Sequence, residues 1–195
     1  MSSQDRQACY SERMSDAMGL VAQAFRHTRR KGTSIPYLSH LMQVAVWVAE
    51  RGGSEDQILA GLLHDYIEDI DGATEEEVAE RFGANVGQLV AALSDSTGFP
   101  KPPWKERKLA YLEHLQDERA EVKLVSACDK LHNASCILRD LRSEGEVLWD
   151  RFSASKEETL WYYREVVSAL GTGWDNDVVG ELQAVVDLIH QEALS

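Results

Sequence analysis

Apolar residues recur at three- and four-residue spacing along most of this chain, and no segment sustains an alternation of apolar and polar side chains. That periodicity builds amphipathic helices and offers no half-buried strand from which to assemble a sheet. Between Pro36 and Arg51, Leu38, Leu41, Val44, Ala45 and Val48 share one helical face, and Gly52-Gly53 ends the segment. Three Ser/Thr-x-x-Glu/Gln boxes mark further helix starts. Ser54 to Gln57 precedes Ile58, Leu59, Leu62 and Leu63; Thr74 to Glu77 precedes Val78 and Phe82; Ser155 to Glu158 precedes Leu160, Trp161 and Tyr163. The same spacing predicts helices over about 4–29, 84–95, 103–116, 119–142 and 176–193. Turns fall at Lys31–Pro36, Gly98–Pro103 and Gly171–Trp174. The expectation is one all-α domain over residues 1–195, a bundle of about eight to ten helices with short connections and its core over about 20–170.

Charge narrows the partners. With 20 Lys and Arg against 33 Asp and Glu, the formal net charge is −13. Nucleic-acid binding, which draws its affinity from cationic contacts to phosphates, is not expected, nor is attraction to an anionic membrane. No apolar run approaches the ~20 residues that cross a bilayer. The N-terminal MSSQDRQACYSERM lacks the apolar stretch of a secretory signal. Cys9, Cys128 and Cys136 are too few for a disulfide framework. Cys128 and Cys136, on one helix, would stand about 12 Å apart, beyond bridging distance. A reduced, cytoplasmic protein is expected. A homo-oligomer is compatible with the sequence.

The chemistry concentrates in Ile58-Leu-Ala-Gly-Leu-Leu-His64-Asp65-Tyr-Ile-Glu68-Asp69. A His-Asp pair directly after a buried apolar run must be paired or hold a metal, because burying an isolated ionisable group is unfavourable. On a continuous helix Glu68 stacks four residues after His64, and Asp69 four after Asp65. Imidazole with carboxylate suits Mn, Fe or Zn. Two further candidate ligands are His40, at the start of a helix, and Asp129, at the border of the apolar face of Leu124, Val125, Cys128 and Leu131. Asn133 shares the side of Asp129, while Asp129-Lys130 taken alone would be a solvated ion pair. Against the acidic background, Arg26, Arg29, Arg30 and Lys31 form one basic cluster, and Lys101, Lys105, Arg107 and Lys108 a second. Concentrated cations of this kind attract a phosphorylated small molecule.

Four segments in order resemble the HD-domain phosphohydrolases, and within them the hydrolase half of RelA/SpoT proteins and the small alarmone hydrolases. They are Arg29-Arg-Lys-Gly-Thr-Ser-Ile-Pro-Tyr-Leu-Ser-His40, Leu62-Leu-His64-Asp65-Tyr-Ile-Glu68-Asp69, Phe82-Gly-Ala-Asn-Val86, and Lys123-Leu-Val-Ser-Ala-Cys-Asp129-Lys-Leu-His-Asn133. The resemblance implies an all-α HD domain in which His40, His64, Asp65 and Asp129 bind one divalent metal, usually manganese. It further implies that Glu68 and Asp69 orient and activate water, and that Arg30, Lys31 and Asn133 contact a small-molecule nucleotide. The implied reaction removes pyrophosphate from the 3′ position of guanosine tetra- or pentaphosphate, or of an adenosine equivalent. Hydrolysis of another nucleotide, such as a deoxynucleoside monophosphate, and non-catalytic nucleotide binding are the other readings. The Glu68-Asp69 pair favours the first. An aromatic of the Trp161-Tyr162-Tyr163 run stands where the family places one against the nucleotide. The chain departs from many relatives at Leu41, Tyr66, Ile70 and Cys128, and no synthetase half follows before Ser195.

Overall fold

The computed structural model of the protein describes residues 8–96 and 101–194. Residues 4–7 of the first expected helix and residues 98–100 of the expected turn lie outside them. Among the described residues, the regular structure is helical, with one isolated antiparallel bridge between Arg29 and Pro36. The helices are α1 (Glu12–Ala24), α2 (Leu38–Glu50), α3 (Glu55–Leu63), α4 (Tyr66–Asp69), α5 (Glu75–Phe82), α6 (Ala84–Leu93), α7 (Trp104–Asp117), α8 (Ala120–Glu144), α9 (Lys156–Gly171) and α10 (Asp177–Ala193). A 3-10 stretch, Gly145–Arg151, follows α8 and is anchored by the buried Leu148 and Trp149.

The bundle is organised around α8, which packs against α2, α3, α6, α9 and α10. Its residues Val122 through Asp129 are all buried, the mark of a helix surrounded on every side. Two of those residues are charged, and each has partners. Lys123 donates from Nζ to the carbonyls of Gln116 (2.8 Å) and Thr172 (2.6 Å), tying α8 to the ends of α7 and α9. Asp129 is the other, and it faces the candidate site.

Two of the three boxes close in both directions, at Ser54–Gln57 and Ser155–Glu158. At Thr74 the hydroxyl accepts from the Glu77 amide, but the Glu77 carboxylate turns away to Tyr66 and Arg81. The largest departure is in α1, which ends at Ala24 rather than near residue 29. The following Arg26-His-Thr-Arg-Arg30 carries no apolar residue to extend a buried stripe. Its backbone pairs across a loop instead, Arg30 N to Ile35 O and Tyr37 N to Thr28 O. Phe25 and Tyr37 stack at the base of that loop, ring centroids 5.3 Å apart.

Gly32 holds the tip of this loop at φ +71°, and an added Cβ would stand 2.5 Å from the Arg151 side chain. Both the left-handed backbone and the close approach require glycine. Gly32→Ala is expected to lower stability by about 1–2 kcal/mol, read as a fall in Tm; an unchanged Tm would show that the loop yields freely.

Candidate active site and metal centre

Three helices and one interruption bring the candidate ligands together. His40 lies in the first turns of α2, Asp129 midway along α8, and His64 and Asp65 between α3 and α4. The sequence expectation of one continuous helix through Asp69 needs correction here: α3 ends at Leu63, and a new turn opens at Asp65. A local competitor explains the break. The His64 Nδ1–H donates to the Gly61 carbonyl at 2.8 Å, taking an acceptor that the last helical turn would use. On the neutral ring that bond fixes the tautomer and leaves the Nε2 lone pair facing the site.

His64 Nε2 lies 3.0 Å from Asp65 Oδ2, 3.2 Å from His40 Nε2 and 3.6 Å from Asp129 Oδ1. His40 Nε2 lies 3.2 Å from Asp129 Oδ1 and 3.8 Å from Asp65 Oδ2. A cation held at about 2.0–2.2 Å by nitrogen and oxygen donors in a tetrahedral arrangement sets neighbouring donors about 3.3–3.6 Å apart; the separations here bracket that spacing, so His40, His64 and Asp65 could hold a divalent metal, with Asp129 beside both histidines. Their electrostatics fit as well. Burial pushes the His64 imidazole down, yet Asp65 and Asp129 outweigh it and hold His64 well above the usual histidine range. Burial lowers His40, against the pull of Asp129. Burial would raise Asp129, but Lys130 and His64 hold it well below the usual carboxylate range. Asp65 is likewise lowered, chiefly by His64 working against burial. The donor set thus concentrates negative charge around a position that already stabilises a cationic group.

The cavity beside these ligands has a volume of about 190 Å³ and is also lined by Glu68 and Asp69. Burial raises the Asp69 carboxyl, with Asp65 and Glu68 adding to it, to about 6. Glu68 is raised by burial and by Asp95, while Lys101 opposes the shift. A carboxylate poised near neutrality is suited to exchange a proton with water. A second cavity of about 400 Å³ adjoins the first at Tyr37 and Asn133, and Arg30, Lys31 and Tyr163 line it. Arg30 Nη2 donates to Asn133 Oδ1 (2.6 Å), and Asn133 Nδ2 donates to Asp129 Oδ1 (2.6 Å), linking the two chambers.

The HD-domain family model matches residues 17–160. The chain belongs to the HD-domain family. It is 36% identical over 160 residues to the guanosine-3′,5′-bis(diphosphate) 3′-pyrophosphohydrolase MESH1 of Mus musculus, covering 80% of this chain and 84% of that protein. To its Xenopus tropicalis counterpart it is 35% identical over 130 residues, 65% and 68% of the two chains. A solved structure described as a metazoan ortholog of SpoT that hydrolyzes ppGpp superposes with a TM-score of 0.76, at 26% identity, over 97% of this chain and all of that one.

Within this HD domain His40, His64 and Asp65 form one donor group with Asp129 beside both histidines; Glu68 and Asp69 share a cavity with His64, Asp65 and Asp129, and Arg30, Lys31 and Asn133 border the adjoining one. Asp129-Lys130 is not a solvated pair: Lys130 Nζ meets Asp129 Oδ2 at 2.6 Å, with side chains 14% and 8% exposed. The second basic cluster divides. Lys101 reaches Glu68 (3.0 Å), Arg107 and Lys108 each close on Asp95 (2.5 Å), and Lys105 lies over the Trp161 ring. Sequence reasoning missed Tyr37, whose hydroxyl donates to Asp65 Oδ2 (2.6 Å), Asp95, whose side chain is 5% exposed, and His132. Tyr37 and His132 stand inside the quoted motifs, so the signal was adjacency to a candidate residue. Asp95 left no local signal.

Proposed function

We propose that this HD domain hydrolyses the 3′-pyrophosphate of guanosine tetra- or pentaphosphate, or the adenosine equivalents, giving pyrophosphate and the corresponding nucleotide. The observation that carries the reading is the Glu68-Asp69 pair on the wall of the cavity that His64, Asp65 and Asp129 line, one chamber away from Arg30 and Lys31. The names of the MESH1 relatives support it. His40, His64, Asp65 and Asp129 would hold one divalent cation, for which we propose Mn2+. When bound, that cation supplies Lewis-acid neutralisation of the phosphoryl charge.

The chain's own residues do the rest. Asp69, with Glu68 beside it, orients the attacking water and accepts its proton. Lys101 keeps Glu68 in place from 3.0 Å. Arg30 and Lys31 meet the remaining phosphates, and Asn133 contacts the nucleotide while Arg30 holds its amide. Water adds to the phosphorus on the 3′ oxygen, the bond from that oxygen to phosphorus breaks, and the proton returns to the nucleotide 3′ oxygen. Positioning and charge dominate, as in phosphoryl transfer generally. The three free cysteines support a reducing, cytoplasmic setting, and no helix among the described residues is long and apolar enough to cross a membrane.

The test is pyrophosphate release by Mn2+-loaded protein, with guanosine and adenosine 3′-pyrophosphates and simple nucleoside monophosphates compared, and His64→Ala as the blank. Release from the 3′-pyrophosphorylated substrates alone is expected. Release of phosphate from monophosphates alone would move the chain to another HD-domain reaction.

A further inference from the structure

His132 is used by none of the roles above, yet it makes one of the shortest contacts to a candidate ligand. Its Nδ1 lies 2.7 Å from His40 Nδ1, with the ring centroids 4.8 Å apart and the planes 28° apart, so the two rings meet nearly end-on through these nitrogens. A neutral imidazole has one N–H and one lone pair, so only one of these two nitrogens donates. His40 Nε2 faces His64, Asp65 and Asp129 at 3.2–3.8 Å, where a cation would need its lone pair. The His40 proton therefore belongs on Nδ1, and His132 Nδ1 is its acceptor. The His132 proton is then on Nε2, which points at Cys136 Sγ from 3.7 Å. His64 meets the same requirement with a backbone carbonyl, that of Gly61. His40 has a side chain in that place.

We infer that His132 is a positioning residue for metal binding, holding His40 in the tautomer and ring orientation that present Nε2 to the cation. The inference rests on the ligand set of the proposed function. Outer-shell partners of ligating histidines typically change metal affinity 10–100-fold when removed. The ring also walls the chamber lined by Arg30 and Lys31, so this contact joins the metal ligands to the outer pocket.

The experiment is titration of Mn2+ into the full chain, followed by the loss of the free-ion EPR signal, for wild type, His132→Leu and His132→Asn. Asparagine can set its amide oxygen near the Nδ1 position and still accept from His40. Leucine fills the volume and cannot accept. Affinity is expected to fall 10–100-fold in His132→Leu and to stay within about threefold of wild type in His132→Asn. A purely space-filling role predicts that leucine, which fills the volume of the ring, binds Mn2+ as well as wild type; leucine matching wild type would overturn the inference. Wild type that binds Mn2+ with this variant order, yet releases no pyrophosphate, would refute the proposed reaction and leave the His132 role standing. Wild type that takes up no Mn2+ would overturn both.

Discussion

Asp69→Asn is expected to lower kcat about 10²–10⁴-fold, the usual contribution of a positioned acid–base group, while the metal content of the protein stays at the wild-type level. Asp69 lies on the cavity wall, outside the His40, His64 and Asp65 donor group and without the close approach to the histidine Nε2 atoms that Asp129 makes, so its loss removes a proton acceptor and no ligand. The same substitution carries a second signature with the opposite sign. The Asp69 carboxyl is raised from 3.8 to about 6 by burial and by Asp65 and Glu68. A raised folded-state value means that the native protein binds this proton more tightly than the unfolded chain. The resulting stability is present below pH 3.8 and is lost as pH rises through about 6. Metal-free wild type therefore enters neutral pH with an unfavourable charge that asparagine lacks. The metal-free variant is expected to melt above wild type at pH 7, with the gap closing toward pH 4. Activity and stability moving in opposite directions identify a group retained for chemistry. A variant keeping more than about a tenth of wild-type kcat would remove Asp69 from the proposed proton transfer.

Asp129→Ala is expected to have the largest effect on the protein as a whole. Its carboxylate faces His40 and His64 at 3.2 and 3.6 Å, accepts from Lys130 at 2.6 Å and from Asn133 at 2.6 Å, and is nearly excluded from solvent. Truncation removes a ligand and also leaves Lys130 without its carboxylate in a buried setting. Breaking a buried pair from one side costs about 3–5 kcal/mol, which for a chain of this length corresponds to roughly 6–20 °C in Tm. Metal content, pyrophosphate release and Tm should all fall, and added Mn2+ should fail to restore the Tm. His64→Ala tests the same ligand set from the other side of the site. A folded Asp129→Ala protein with full metal occupancy would exclude Asp129 from the ligand set.

The legible part of this site was the part written in consecutive residues. His64-Asp65 and Glu68-Asp69 were readable because an apolar run ending in four ionisable positions has few stable solutions. His40 was readable at the start of a helix, after Ile35-Pro-Tyr-Leu-Ser, and Asp129 because it borders an apolar helical face. Tyr37, Asp95 and His132 were not assigned, and Lys101 was read only as part of a basic cluster, without its partner Glu68. Their roles lie in single hydrogen bonds or ion pairs to distant segments: Tyr37 to Asp65 across 28 positions, Lys101 to Glu68 across 33, His132 to His40 across 92. A contact of that kind has no period, and only adjacency to a candidate residue pointed toward Tyr37 and His132.

Local interactions explain which expectations held and which moved. The sequence by itself determined an all-helical chain, the starts of α3, α5 and α9 at their capping residues, and the acidic and histidine residues from which a metal centre is assembled. These follow from backbone donors seeking caps and from apolar residues seeking one face, and both act within a few residues. Tertiary structure decided where α1 stops, because the Arg26–Arg30 segment found backbone partners across the loop at Ile35 and Tyr37. The break at His64 is local, a side chain taking the Gly61 carbonyl, but tertiary structure decided that the Nε2 it turns inward meets a ligand on α8. It also decided that Lys130 lies beside Asp129 inside the bundle and that His132 touches His40. Sequence selects the groups that must be satisfied, and the packing of α2, α3 and α8 selects which groups satisfy one another.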